Sequence, residues 1–222
     1  MEFNEKWEYI ENLENKKNIT QQDLSKIILL KSDKNSEIRI FLAQTLVCLS
    51  ADISEPILLS MIDDTELLVR ANVCDSLCIG KSYDTIQKLQ HRILNDSYLV
   101  RGYAILSLAD IAKNNNRFFD EILTFLTQAY RKEKSGSVKV SYYYAFCLLG
   151  KESYISHLLA ELKHKFYQRR CAAINIIGDL IKEGCIKNIE QVRKALVECY
   201  EIEQSDAVKA SIKSVLEDIL VS

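Results

Sequence analysis

LVRANVCDSLCI, residues Leu68 to Ile79, and LVRGYAILSLADI, residues Leu99 to Ile111, are two copies of one pattern. A basic residue is followed by small or apolar residues three and four positions later, an aliphatic residue at seven and often a small residue at eight. RRCAAINIIGDL (Arg169 to Leu180) and IRIFLAQTLVCL (from Ile38) repeat it. VKVSYYYAFCLL (from Val138) and VKASIKSVLEDI (from Val208) carry lysine at the basic place. Apolar residues at such intervals lie on one face of an α-helix. With the basic residue as a marker, the copies stand at Arg39, Arg70, Arg101, Lys139, Arg170 and Lys209, separated by 31, 31, 38, 31 and 39 residues. The two longer gaps call for local insertions.

Before each marked helix lies another amphipathic segment: Gln21 to Leu30, Glu55 to Ile62, Asp84 to Leu94, Phe118 to Tyr130, Tyr154 to Leu162 and Ile189 to Tyr200. In the fourth, Ile122, Leu123, Leu126, Ala129 and Tyr130 recur at the helical period. A pair of short helices cannot bury its apolar face alone, whereas pairs stacked side by side share one continuous core. The expected fold is therefore all-α, a right-handed α-solenoid of about six helix pairs forming a single domain over 1–222. Residues 1–17 are expected to form an N-terminal capping helix and 20–222 the repeats. Phe3, Trp7 and Ile10 fall at helical spacing in that cap, and Trp7 is expected to seal the first repeat, with contact to a partner as its alternative role.

The chain resembles the HEAT-repeat family, in particular its short bacterial subclass related to phycobilin lyases, written around Asp-x-x-x-Val-Arg-x-x-Ala-x-x-x-Leu-Gly. Asp96, Val100, Arg101, Ala104 and Leu108 match, and Ala109 replaces the glycine. The resemblance spans roughly Gln21 to Leu220. It implies that the marker arginines are structural and that the second helix of each pair lines a concave face. It also implies the kinds of work such solenoids do: scaffold or adaptor, or an immunity or inhibitor protein that masks a toxin or enzyme. A fold of this kind does not by itself fix function.

Composition agrees with a helical globular chain. Of 222 residues 48% are hydrophobic, while six glycines and one proline are too few turn formers for a many-stranded β fold. Lys+Arg of 29 against Asp+Glu of 31 leaves a net charge of −2, so no global basic field draws the chain to nucleic acid or anionic lipid. No apolar run reaches the roughly 20 residues that span a bilayer, and Met1 to Lys17 lacks a secretory apolar stretch. A cytoplasmic protein with no membrane partner is expected. Cys48, Cys74, Cys78, Cys147, Cys171, Cys185 and Cys199 are odd in number, and five sit in apolar helical patterns, which favours reduced thiols.

An arginine in the first turn of a helix opposes the helix dipole and wants a nearby acid. Asp33, Asp64 and Asp96 stand just before Arg39, Arg70 and Arg101, so these arginines are expected to form a structural ladder of ion pairs between repeats. The acidic element is missing from this reading in the fourth and fifth repeats. There RKEKSGSVK (Arg131 to Lys139) and KHKFYQRR (Lys163 to Arg170) suggest a basic edge containing Lys163, Lys165 and Arg169.

Cys74 and Cys78 are four apart, which is not a zinc-knuckle spacing, and His91, His157 and His164 show no paired metal-ligand spacing. No metal or other cofactor is expected. No phosphate loop, nucleophile elbow or His-Glu-x-x-His occurs, so catalysis has no motif behind it.

Eleven tyrosines include the consecutive Tyr142, Tyr143 and Tyr144. A helix turns 100° per residue, so one of three neighbours should face outward, and alignment selects Tyr144. Its row contains Gln44, Asp75, Leu106, Asn175 and Ser214; the row two after the marker contains Phe41, Asn72, Tyr103, Ser141, Ala172 and Ser211. The expected partner-binding surface is Phe41, Asn72, Asp75, Tyr103, Leu106 and Tyr144, and the expected partner another protein. Nucleic-acid binding or DNA repair through the basic turns is the alternative, and a chromophore-lyase subunit the third reading.

Overall fold

Each segment with helical spacing forms a helix in the computed structural model, which describes residues 1–16 and 18–221. Lys17 and Ser222, at the expected ends of the cap and of the repeats, lie outside the described residues. Thirteen α-helices and no strand occur among the described residues. They are α1 (Phe3–Leu13), α2 (Gln21–Leu30), α3 (Ser36–Leu46), α4 (Ala51–Met61), α5 (Leu67–Ser76), α6 (Tyr83–Asn95) and α7 (Tyr98–Asn114). There follow α8 (Phe119–Lys132), α9 (Gly136–Leu148), α10 (Ile155–Glu161), α11 (Tyr167–Lys182), α12 (Ile189–Ile202) and α13 (Asp206–Val221).

The chain divides into two compact units, Met1–Phe125 and Leu126–Ser222, with the boundary inside α8. In the first, α1, α3, α5 and α7 pack side by side in that order, and α2, α4 and α6 form a second row against them. In the second, α9, α11 and α13 pack side by side, with α10 and α12 laid against them.

Local chemistry sets the helix ends. Thr20, Asn35, Ser82, Ser97, Ser135 and Asn188 each accept a backbone N–H from the first turn that follows, satisfying a donor with no partner inside the helix. Gly150 (φ 87°) and Gly184 (φ 65°) close α9 and α11 in the left-handed conformation that a side chain disfavours. The Lys151 and Cys185 amides reach back to the carbonyls of Phe146 and Leu180.

The second row departs from expectation at α4, which starts at Ala51 rather than Glu55. Pro56 therefore sits inside the helix, where it removes one backbone hydrogen bond. The early turn is held instead by side chains. The buried Ser54 hydroxyl donates to the Leu46 and Ser50 carbonyls, and Glu55 is buried beside it.

The core follows the marker register. One residue before the marker, Ile38, Val69, Val100, Val138 and Val208 are buried. So are Leu42, Ala43, Val73, Cys74, Ala104, Ile105, Ala173 and Ile174 at three and four after it. The small residue at eight has a packing reason in the fifth repeat. A Cβ on Gly178 would stand 2.9 Å from Val215, so a larger residue would push α11 and α13 apart.

Cap and first repeat join through Ile10 and Leu13, both fully buried, not through Trp7, which is 38% exposed. Trp7 lies instead on the flank of α1, stacked on Phe41 of α3 with ring centroids 4.1 Å apart. The apolar spacing is shared by all these residues, and only the rotation of α1 decides which of them faces inward.

Glu55 bridges α4 to the start of α6. Its Oε1 accepts from the Lys81 amide (3.0 Å), the Ser82 amide (2.9 Å), the Ser82 hydroxyl (2.7 Å) and the Thr85 hydroxyl (2.5 Å). Burial opposes its charge, but these donors outweigh burial and hold its carboxyl below the usual range. Glu55→Ala should lower stability by about 1–3 kcal/mol, because buried donors lose their acceptor. Glu55→Gln, which keeps an acceptor oxygen, should cost less. Urea denaturation followed by circular dichroism checks both.

Candidate partner-binding face

The marker arginines do two jobs at once. Arg39 Nη1 donates to the carbonyl of Asp33 in its own preceding turn at 2.6 Å, while its Nε and Nη2 grip both oxygens of Asp64, in the next turn along, at 2.7 and 2.8 Å. Arg70 repeats this with the Asp64 carbonyl and the Asp96 carboxylate, and Arg170 with the His164 carbonyl and Glu203. Lys6 of α1 meets Asp33 at 2.7 Å, so α1 supplies the cation that pairs with the first acid of this ladder. Arg101 stands half-buried at the equivalent place in α7. The acid that each arginine grips thus belongs to the following turn, and its own turn supplies carbonyl oxygen.

Each acid also shapes its own turn by accepting a nearby amide. Asp33 accepts from Asn35, Asp64 from Glu66, Asp96 from Ser97, and Glu203 from Gln204 and Ser205. Burial pushes the Asp96 carboxyl up, but Arg70, the Ser97 amide and Arg92 outweigh it and hold it down at about 2.

The acidic element does not fail in the fourth repeat. Glu133 accepts from the Ser135 amide at 2.6 Å, as the other acids do. In the fifth, the ring nitrogen Nδ1 of His164 accepts from the Phe166 amide at 3.2 Å. The sequence carries this signal: an acid or histidine stands six residues before the basic marker at Asp33, Asp64, Glu133, His164 and Glu203, and five before it at Asp96.

The expected basic edge is correspondingly weaker. Arg169 is paired with Glu161 at 2.5 Å, contacts His164 Nε2 at 3.0 Å, and lies against Gly136, where a Cβ would fall 2.3 Å from its guanidinium. Arg170 is taken by Glu203. Lys163 and Lys165 are exposed, with the Lys165 ammonium 4.9 Å from the centre of the Phe166 ring.

In the first unit the residues expected at the surface are there. Asp75 is exposed, and Phe41, Asn72, Tyr103 and Leu106 are half-buried. Gln44 of α3 donates to Asn72 of α5 at 2.8 Å, which ties neighbouring members of the row. Burial and the nearby charge of Asp75 push the Tyr103 hydroxyl above its ordinary value.

Tyr144 is different: it is buried, at 8% exposure, as are Tyr142 and Tyr143. Every residue of Val140 to Leu149 is buried. No charged residue interrupts that run, and a helix that is apolar all round is buried all round. Within the second unit Tyr130, Tyr142, Tyr143, Phe146 and Tyr154 form a connected set of rings with centroids 4.6–6.3 Å apart. The tyrosine run is core, and it leaves the candidate surface.

Sequence reasoning placed Trp7 in the cap and missed that it shares a surface with Phe41. The two rings and Phe3, 5.8 Å from Trp7, line a groove between α1 and α3. Cys74 and Cys147 are buried and Cys78 partly so; burial pushes the Cys78 thiol up to about 11 and that of Cys147 to about 12. Among the described residues no three His, Cys, Asp or Glu side chains converge as a metal set would, and no helix is long and apolar enough to cross a membrane. No protein-family model matches the chain, and comparison with curated proteins finds no match.

Arg70→Ala should cost about 1–3 kcal/mol of stability, since Asp96 and the Asp64 carbonyl lose a charged, largely buried partner. The Asp96 carboxyl is depressed on folding, so its contribution is present above pH ~4 and lost as the pH falls toward 2. The urea midpoint of the parent chain should therefore drop through that window. The drop should be shallower in Arg70→Ala.

Proposed function

We propose that the helix pairs are about six HEAT-like repeats wound as a right-handed solenoid capped by α1, and that the chain is a non-catalytic scaffold that binds another protein. The side-by-side packing of α3, α5 and α7, and of α9, α11 and α13, supports the repeat reading, together with the recurring arginine bridge. The concave face of such a solenoid is lined by the marked helices.

The observation that carries the binding reading is the surface of that row in the first unit. Half-buried Phe41, Tyr103 and Leu106 stand among Gln44, Asn72 and Asp75. Aromatic rings partly open to solvent and bordered by polar groups have the composition of interaction hot spots. An inhibitor or immunity protein, or an adaptor, is the form of partner binding that fits a small rigid helical face. Nucleic-acid binding has less behind it, because Arg169 and Arg170 spend their charge on Glu161 and Glu203.

The test is affinity capture of the partner from the source cell, followed by measured binding of variants. Tyr103→Ala and Leu106→Ala should each weaken binding by about tenfold or more, while stability falls by less than about 1 kcal/mol. Full binding in both variants, with loss on Lys163→Ala or Lys165→Ala and a steep decline with added salt, would transfer the site to the basic turn and favour nucleic acid.

A further inference from the structure

We infer that the groove between α1 and α3 receives a cationic segment of the partner, with a lysine or arginine side chain laid over the Trp7 ring; this rests on the protein-binding reading above. The groove floor is aromatic. Trp7 stacks on Phe41 at 4.1 Å and tilts against Phe3 at 5.8 Å, yet Phe3 is 40% and Trp7 38% exposed. Phe41 thus covers one face of the indole, and part of the ring system stays open to solvent. An exposed tryptophan and phenylalanine side by side are costly to leave in water, and tryptophan is among the residues most enriched at interface hot spots.

The rim decides the partner's charge. The charged residues lining the groove are Glu8, Glu11 and Glu37, all exposed carboxylates. Of the cations nearest in sequence, Lys6 is paired with Asp33 at 2.7 Å, Lys16 with Asp23 and Arg39 with Asp64, and the exposed Lys34 is not among the residues that line the groove. An electron-rich indole face beside three carboxylates suits a cation twice over, through the ring quadrupole and through ion pairing at the rim. An acidic or phosphate-bearing segment would meet only like charge there. The partner segment consequently carries lysine or arginine next to an apolar residue that rests on Phe3 and Phe41.

The chain has one tryptophan, so the groove has its own reporter. A random 12-residue peptide display library is selected on the intact protein, and the recovered sequences are read for charge. The winning peptide is then synthesised and titrated while Trp7 emission is followed at low and high salt. Enrichment of lysine or arginine beside an apolar residue is expected, with a shift in Trp7 emission. Affinity should fall at least tenfold in the triple variant Glu8→Lys, Glu11→Lys, Glu37→Lys. Circular dichroism should show that variant folded, because all three side chains are exposed.

Selection of neutral or acidic peptides that still depend on Tyr103 would overturn the cationic assignment while leaving the protein-binding face in place. Basic peptides that bind without moving Trp7 emission, or equally well to the triple variant, would overturn the groove assignment. A library that yields no binder dependent on any residue of α1, α3, α5 or α7 would overturn both readings.

Discussion

A guanidinium in the first turn of a helix is held between the carbonyl oxygens of the turn before it and a carboxylate from the turn after the next helix. Alone it would oppose the positive end of the helix dipole. Here the two sets of oxygens compensate, and the carboxylate in turn accepts amide hydrogens of its own turn. One interaction therefore shapes a turn and also docks one helix pair on the next. Ile38 and Val69, the aliphatic residues just before Arg39 and Arg70, are fully buried, so in those two repeats the polar bridge and the core are in register. Arg39, Arg70 and Arg170 all make this bridge in bidentate form, a geometry that a lysine cannot supply.

The consequence for function is a division of labour along each marked helix. Its charged first turn is consumed by structure, and three and four residues on it enters the core. The residues two and five after the marker are the ones that the proposed partner would meet. In α3, α5 and α7 those places hold Phe41, Gln44, Asn72, Asp75, Tyr103 and Leu106, which stay at least partly open. In α9 they hold Ser141 and Tyr144, and both are buried. In α11 and α13 they hold Ala172, Asn175, Ser211 and Ser214, which are at least partly open but carry no ring, so the partly open aromatics of these two rows lie in the first unit, where Trp7 of α1 stacks on Phe41. The exposed carboxylates of Glu8, Glu11 and Glu37 accompany the aromatics there.

Much of this was written in the sequence. The period of apolar residues located the helices because burial of one helical face imposes that period. The boundaries of α2 agree with the sequence segment, and those of α6, α8 and α12 fall within about two residues of it, where caps are short-range chemistry. The acid or histidine five or six residues before each basic marker was equally available, since the bridge is set by short spacings within each turn. The burial of Tyr144 was foreshadowed by the uncharged run from Val140 to Leu149, a signal that alignment of Tyr144 with its row passes over. Only tertiary structure decided the rest. Whether Arg169 is a free cation depends on Glu161 and His164 from the end of the preceding helix and the turn after it. Whether Trp7 is a plug or an exposed ring depends on how α1 is rotated against α3. Periodicity determines which residues share a face, but which face is covered is a property of the neighbours.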